Sequence, residues 1–181
     1  MYVFLTGESG AGKSTALDRT LTLLGITPGG FRTGFTPDRQ RLCLWPAWEG
    51  PDWSEEHTVA RMVQGRLVGD PDAFDRLGPV ILSESMPWAG LLLLDELGWL
   101  EREALAFQGA VRTCLGGTTP VLGVIKPRRA GTWLEDLVRT PGGVVLPVDA
   151  ENRDGLPALL AERLGGSSGK VENKQESWDK R

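Results

Sequence analysis

Residues 7–15 read GESGAGKST and stand directly behind the apolar run Tyr2-Val3-Phe4-Leu5. A glycine-rich loop ending in Lys-Ser-Thr, between a buried strand and a helix, is the P-loop pattern. The chemistry follows from the residue types. Gly7, Gly10 and Gly12 let the backbone turn sharply, so that the N–H groups of the loop (Glu8, Ser9 and Ala11 included) can meet phosphate oxygens. The helix beginning near Lys13 points the positive end of its dipole at the same anion. Lys13 is placed to reach the β- and γ-phosphates, the Ser14 hydroxyl to ligate Mg²⁺, and Thr15 completes the nucleotide-binding stretch. These residues predict a nucleoside-triphosphate site.

The second constellation is LLLLDELGWLE, residues 91–101. An apolar strand ending in an acid is the Walker B arrangement, which sets a carboxylate beside the phosphates to hold Mg²⁺ through water. Asp95 is that acid, and Glu96 is placed to polarise an attacking water near the γ-phosphate. Adjacent strand residues point to opposite sides, so both can serve only where the strand ends, and Gly98 would permit the turn. Lys126, Arg128 and Arg129 follow another apolar run. One of them could stabilise transition-state charge in cis, against the plainer reading of a solvated basic turn.

The elements that must position these groups alternate between apolar runs and helical patterns, an α/β order. Thr15–Leu24 lines up Ala16, Leu17, Thr20, Leu21 and Leu24, and Gly25 stops the helix. Residues 29–35 and 41–45, separated by Thr36-Pro37-Asp38-Arg39, predict a β-hairpin. Residues 46–57 (PAWEGPDWSEEH) read as an exposed loop, in which Trp48 and Trp53, like Trp45 before it, could stack on a base or pack a partner, with packing on their own domain the favoured reading. Residues 70–89 read as helical in parts, with Pro71 and Pro79 as first-turn residues. Residues 90–94 form an apolar strand, and 102–115 an amphipathic helix facing inward through Leu105, Ala106, Ala110 and Val111. Two buried strands, 120–125 and 144–148, and a helix over 156–164 complete a domain spanning 1–164. From 165 to 181 the chain is Gly/Ser-rich and then polar, predicting a flexible tail. Within it, Asn173-Lys174-Gln175-Glu176 resembles a guanine-reading N-K-x-D by accident, since no buried strand precedes it.

Composition bounds the rest. The chain has 181 residues and a net charge of −4, which suits one domain and argues against a nucleic-acid surface. No stretch approaches a membrane span, and Met1 runs straight into the first strand without a basic leader. Cys43 and Cys114 read as buried thiols of a cytoplasmic protein. His57, in a polar stretch, reads as a surface residue.

GESGAGKST, GGFRT at 29–33, GRLVGDPDAFDRL at 65–77, LDELGWLE at 94–101 and ENRD at 151–154 occur in the order seen in the small THEP-type nucleoside-triphosphatases, and the chain resembles that family over roughly 2–164. The resemblance implies a single RecA-like P-loop domain, three-layer α/β/α with a mostly parallel central sheet. It also implies slow hydrolysis of ATP, GTP and other nucleoside triphosphates with Mg²⁺ and broad base tolerance. Asn152 and Arg153 then stand where such folds approach the base, with helix capping as the equal alternative. Two departures are visible: Trp99-Leu100 replaces the family's Pro-Met, and the central ribbon is shortened. A kinase using residues 46–57 as an acceptor lid, or a non-catalytic nucleotide sensor, are the competing functions. Hydrolysis is favoured because Glu96 is present and no arginine-rich lid is evident.

Overall fold

The first apolar run becomes strand β1 (Tyr2–Thr6), and the glycine loop after it feeds helix α1 (Lys13–Leu24). The computed structural model describes residues 1–126 and 132–165. In them follow β2 (Gly29–Phe35), β3 (Arg41–Pro46), a single 3-10 turn (Glu55–His57), β4 (Thr58–Val63), β5 (Arg66–Gly69) and α2 (Pro71–Ser85). The remainder is β6 (Leu92–Leu97), α3 (Leu105–Gly116), β7 (Val121–Ile125), α4 (Thr132–Val138), β8 (Gly143–Pro147) and α5 (Leu156–Gly165).

All eight strands form one sheet in the order β5-β4-β3-β2-β6-β7-β1-β8. The β2-β6-β7-β1-β8 half is parallel, and β3, β4 and β5 extend it as an antiparallel meander. Helices cover both faces of the parallel half, as buried apolar strands require. Leu17, Leu21, Leu156 and Leu160 of α1 and α5 pack on Val3, Leu5, Leu93 and Val124. Phe74, Ile81, Phe107, Val111 and Leu134 of α2, α3 and α4 pack on Phe4, Phe31, Leu92 and Leu94. This is the expected three-layer α/β/α architecture, including the hairpin after the first helix.

Several local expectations are corrected. The Walker B strand continues through Leu97 rather than ending at Leu94, with its pairing to β7 shifting register between those two residues. The helix expected from 102 starts at Leu105, so Leu105 and Ala106 face solvent while Phe107, Val111 and Cys114 form the buried stripe. Pro79 lies inside α2 rather than in a first turn. An interior proline costs about 3 kcal/mol; beside it α2 packs so closely on α3 that a Cβ on Gly78 would overlap the Phe107 ring. β8 is a half-exposed edge strand, not a buried one, because among the described residues no strand pairs beyond it. His57 is half-buried: its Nδ1 lies 2.8 Å from the Leu44 carbonyl oxygen.

The β4–β5 hairpin, for which no strand is expected from the sequence, turns on Gln64 and Gly65, both with positive φ (49° and 74°), the geometry of a tight two-residue turn. Residues 47–57 fold down on their own sheet. Trp53 packs edge-on against buried Trp45 with ring centroids 5.1 Å apart, Trp48 against Trp88 at 5.3 Å, and Arg41 donates to the Trp53 carbonyl at 3.0 Å. Arg128, Arg129 and the expected tail from 166 onward lie outside the described residues.

Candidate functional site

The loop between β1 and α1 is built for close approach of an anion. Gly7, Gly10 and Gly12 all take positive φ (146°, 81° and 101°), a conformation that disfavours side chains. A Cβ on Gly7 would stand 2.6 Å from the Val148 carbonyl oxygen, so the loop and the β8–α5 connection fit only without one. Gly12 caps α1, and Glu8, Ser9, Ser14 and Thr15 lie exposed around the opening. Lys13 is buried at 7 % exposure and its Nζ donates to the carbonyls of Gly7 (2.8 Å) and Glu8 (2.7 Å). Burial holds its pKa below the ordinary lysine value, against the opposing pull of Glu96.

The second wall is the tip of β6. Asp95 is buried, and desolvation lifts its carboxyl to about 6 although the Arg32 guanidinium pulls it down. Arg32 faces it from β2, Nη1 to Oδ2 at 3.8 Å, and reaches Asp18 of α1 with Nη2 at 2.7 Å. Glu96 is anchored differently: its backbone N–H donates to Thr33 Oγ1 at 3.3 Å, and its carboxylate forms an ion pair with Lys126.

Beyond it, residues 98–104 are fixed from inside. Glu101 is 2 % exposed and accepts a hydrogen bond from the Gly98 N–H, while Trp133 Nε1 donates to the Gly98 carbonyl at 3.1 Å. Gln108 Nε2 donates to the carbonyls of Glu101 and Arg102, each at 2.9 Å. Desolvation raises the Glu101 carboxyl to about 7, against the backbone hydrogen bonds it accepts.

P-loop and acids therefore share the C-terminal edge of the parallel sheet, with β7 alone between their strands. Asn152 and Arg153 join this edge in different ways. Asn152 Oδ1 accepts from the Asp149 N–H (3.1 Å) and its Nδ2 donates to the Pro147 carbonyl (2.8 Å), so both ends of its amide close the loop after β8. Arg153 is exposed and its Cδ lies 3.6 Å from the Cβ position of Gly12, beside the phosphate loop.

Sequence reasoning missed Arg32 and Thr33 as site residues. The signal was present: a charged residue inside an otherwise apolar and glycine strand, GGFRTGF. Its meaning depends on β2 lying beside β6, a long-range pairing.

For Mg²⁺, the local donors are a hydroxyl (Ser14) and a buried carboxylate (Asp95), both hard oxygen ligands. Among the described residues no group of three or more His, Cys, Asp or Glu converges on a metal position. A sparse oxygen set that leaves places for water and phosphate suits Mg²⁺ rather than a dedicated protein cage.

A parallel sheet whose first strand runs through a glycine cradle into a helix, with an acid-tipped strand one place removed, defines a P-loop nucleotide-binding protein. Within that class the chain matches the model of the family described as NTPase over residues 2–161, and it belongs to that family. It is 27% identical to nucleoside-triphosphatase THEP1 of Methanosarcina barkeri, the match covering 91% of this chain and 97% of that protein. To THEP1 of Thermofilum pendens it is likewise 27% identical, over 88% and 93%. The fold is shared with the crystal structure of THEP1 from the hyperthermophile Aquifex aeolicus (TM-score 0.74, 22% identity, 91% of this chain and 99% of that one). It is shared too with the solution structure of a human cancer-related nucleoside triphosphatase (TM-score 0.70, 23% identity, 92% and 98%).

Proposed function

We propose that this protein hydrolyses nucleoside triphosphates to diphosphate and phosphate, with Mg²⁺ and with little preference among bases. The observation that carries the reading is the convergence of buried Lys13, buried Asp95 and half-buried Glu96 on the C-terminal edge of one sheet, with β7 alone between their strands. Membership of the NTPase family, and relatives named nucleoside-triphosphatase, support it.

Each residue then has a role. The loop N–H groups and Lys13, once its ammonium leaves the Gly7 and Glu8 carbonyls, bind the phosphates. Ser14 and Asp95 would hold Mg²⁺, which when bound neutralises phosphate charge. Glu96 orients the water and takes its proton as the oxygen attacks. Asn152 is a loop brace rather than a base reader, since its amide is engaged by backbone. With no guanine-reading motif on a described strand end, base discrimination has no evident support.

The protein would act on free nucleotides in the cytoplasm, with no nucleic acid and no membrane involved. Its two cysteines are free and buried, and among the described residues no helix is long and apolar enough to cross a membrane. A kinase lid at 46–57 is not favoured, because Trp53 and Arg41 pin that segment to the sheet.

The test is phosphate release from ATP, GTP, CTP and UTP, with and without Mg²⁺ and with and without small-molecule acceptors. The four kcat/KM values should agree within about tenfold, or ~1.4 kcal/mol. A product phosphorylated on an acceptor would replace hydrolysis with transfer.

A further inference from the structure

Lys126 is the first residue after β7, and β7 is the strand between the P-loop strand β1 and the acid-bearing strand β6. A side chain at that tip stands between the phosphate cradle and the Asp95-Glu96 pair by topology alone. Its backbone is fixed there, since the Lys126 N–H donates to the Leu97 carbonyl at 2.9 Å. Its ammonium rests on the Glu96 carboxylate, and its charge is felt at Lys13 as well as at Asp95. The two lysines are nonetheless held differently. Lys13 is buried under its loop, whereas the Lys126 side chain is 54% exposed.

This pairing is unexpected if Glu96 activates water. The ammonium occupies a carboxylate oxygen that a water would have to approach, and the cation stands beside a site for a polyanion. The terminal phosphate of a triphosphate carries more charge and more acceptor oxygens than one carboxylate, so it competes for the same ammonium. Lysine is suited to the exchange, being a compact point charge on a flexible chain.

We infer that Lys126 is a second phosphate-binding cation, parked on Glu96 and drawn off by the terminal phosphate of a bound triphosphate, which frees Glu96 to act on water. A diphosphate lacks the group that would draw it away. Lys126 thus links triphosphate occupancy to release of the base. The inference rests on the hydrolase reading above and assigns that site a residue which tells triphosphate from diphosphate.

The experiment is equilibrium binding of a non-hydrolysable triphosphate and of the matching diphosphate, together with melting temperature. The proteins are the wild type, Lys126→Ala, Lys126→Arg, Glu96→Gln and the Lys126→Ala/Glu96→Gln double variant. Lys126→Ala should lose about tenfold or more in triphosphate affinity, with diphosphate affinity within about twofold, as expected for one charge-assisted contact. Lys126→Arg should recover most of the loss. Glu96→Gln removes the competitor, so it should tighten triphosphate binding when Lys126 is present and have no such effect in the double variant. Equal loss of both ligands in Lys126→Ala, no loss of either, or the same Glu96→Gln effect in both backgrounds would overturn the role of Lys126. Failure of the wild type to bind the triphosphate would instead overturn the hydrolase reading itself. Should Lys126→Ala melt well below the wild type, Lys126→Gln, which keeps much of the stem, carries the same comparison.

Discussion

Arg32 stands opposite Asp95 in the β2–β6 ladder, and its guanidinium ties that buried acid to Asp18 on α1. One side chain thus joins the acid-bearing strand to the helix that follows the phosphate loop. Arg32→Ala should leave Asp95 buried without its cation, at a cost of several kcal/mol where the acid is ionised, roughly 3. Removing Arg32 pushes the Asp95 pKa further up, and neutral Asp95 has little to lose. The destabilisation should therefore be large at pH 8 and small at pH 5. Chemical denaturation of both proteins at the two pH values checks this, and an equal loss at each would show that Arg32 acts through packing.

Lys13→Ala removes a cation that donates to the Gly7 and Glu8 carbonyls of the loop and, on the proposed function, binds phosphate. Turnover should fall by at least ~10²-fold, the usual scale for one electrostatic contact to a transition state. Triphosphate binding should weaken in parallel while the circular-dichroism spectrum stays that of the wild type. Near-normal hydrolysis would remove the phosphate loop from the mechanism.

Asp95 and Glu96 should separate cleanly by substitution. Asp95→Asn should raise the Mg²⁺ concentration needed for nucleotide binding as well as slow turnover. Glu96→Gln should bind triphosphate at least as tightly as the wild type and lower single-turnover phosphate release by ~10²–10⁴-fold, the range for loss of a general base. Gln is nearly isosteric with Glu, so such a defect reports lost basicity rather than lost shape. Wild-type release by Glu96→Gln would move water activation elsewhere on the edge.

Glu101 carries a pH dependence of stability. In the unfolded chain its carboxyl ionises near 4.5, whereas burial in the native protein holds the proton to about 7. Across that window the native state binds more protons than the unfolded one, so stability falls as pH rises and the full cost is present above pH 7. Glu101→Gln keeps an oxygen for the Gly98 N–H and removes the titration. The stability difference, variant minus wild type, should grow in the variant's favour from pH 4.5 to pH 8. Parallel stability curves would mean that Glu101 is already ionised at pH 5.

The site was legible in the sequence wherever its chemistry is local. GESGAGKST needs only a strand before it and a helix after it, because the chemistry proposed for it lies in backbone N–H groups and the first helical turn. The strand-then-acid pattern of Leu91–Glu96 is similarly self-contained. The β4–β5 hairpin escaped notice because its Gln64-Gly65 turn lacks the usual Asn or Asp and its strands carry arginines outward. Pro79 and Leu105 misled for a different reason: where a helix begins and which face it buries depend on the partner helix, not on the helix's own pattern.

Residue types and spacing alone thus determined an α/β nucleotide fold, its phosphate loop, and the identity of Asp95 and Glu96 as the candidate acids. Only the tertiary structure decided what those acids face. Arg32 meets Asp95, Thr33 holds Glu96 and Lys126 rests upon it because β2, β6 and β7 are neighbours in the sheet. That neighbourhood comes from parallel pairing between strands far apart in the chain. It is selected by burial of both sheet faces, a property of the whole core that no window of sequence contains.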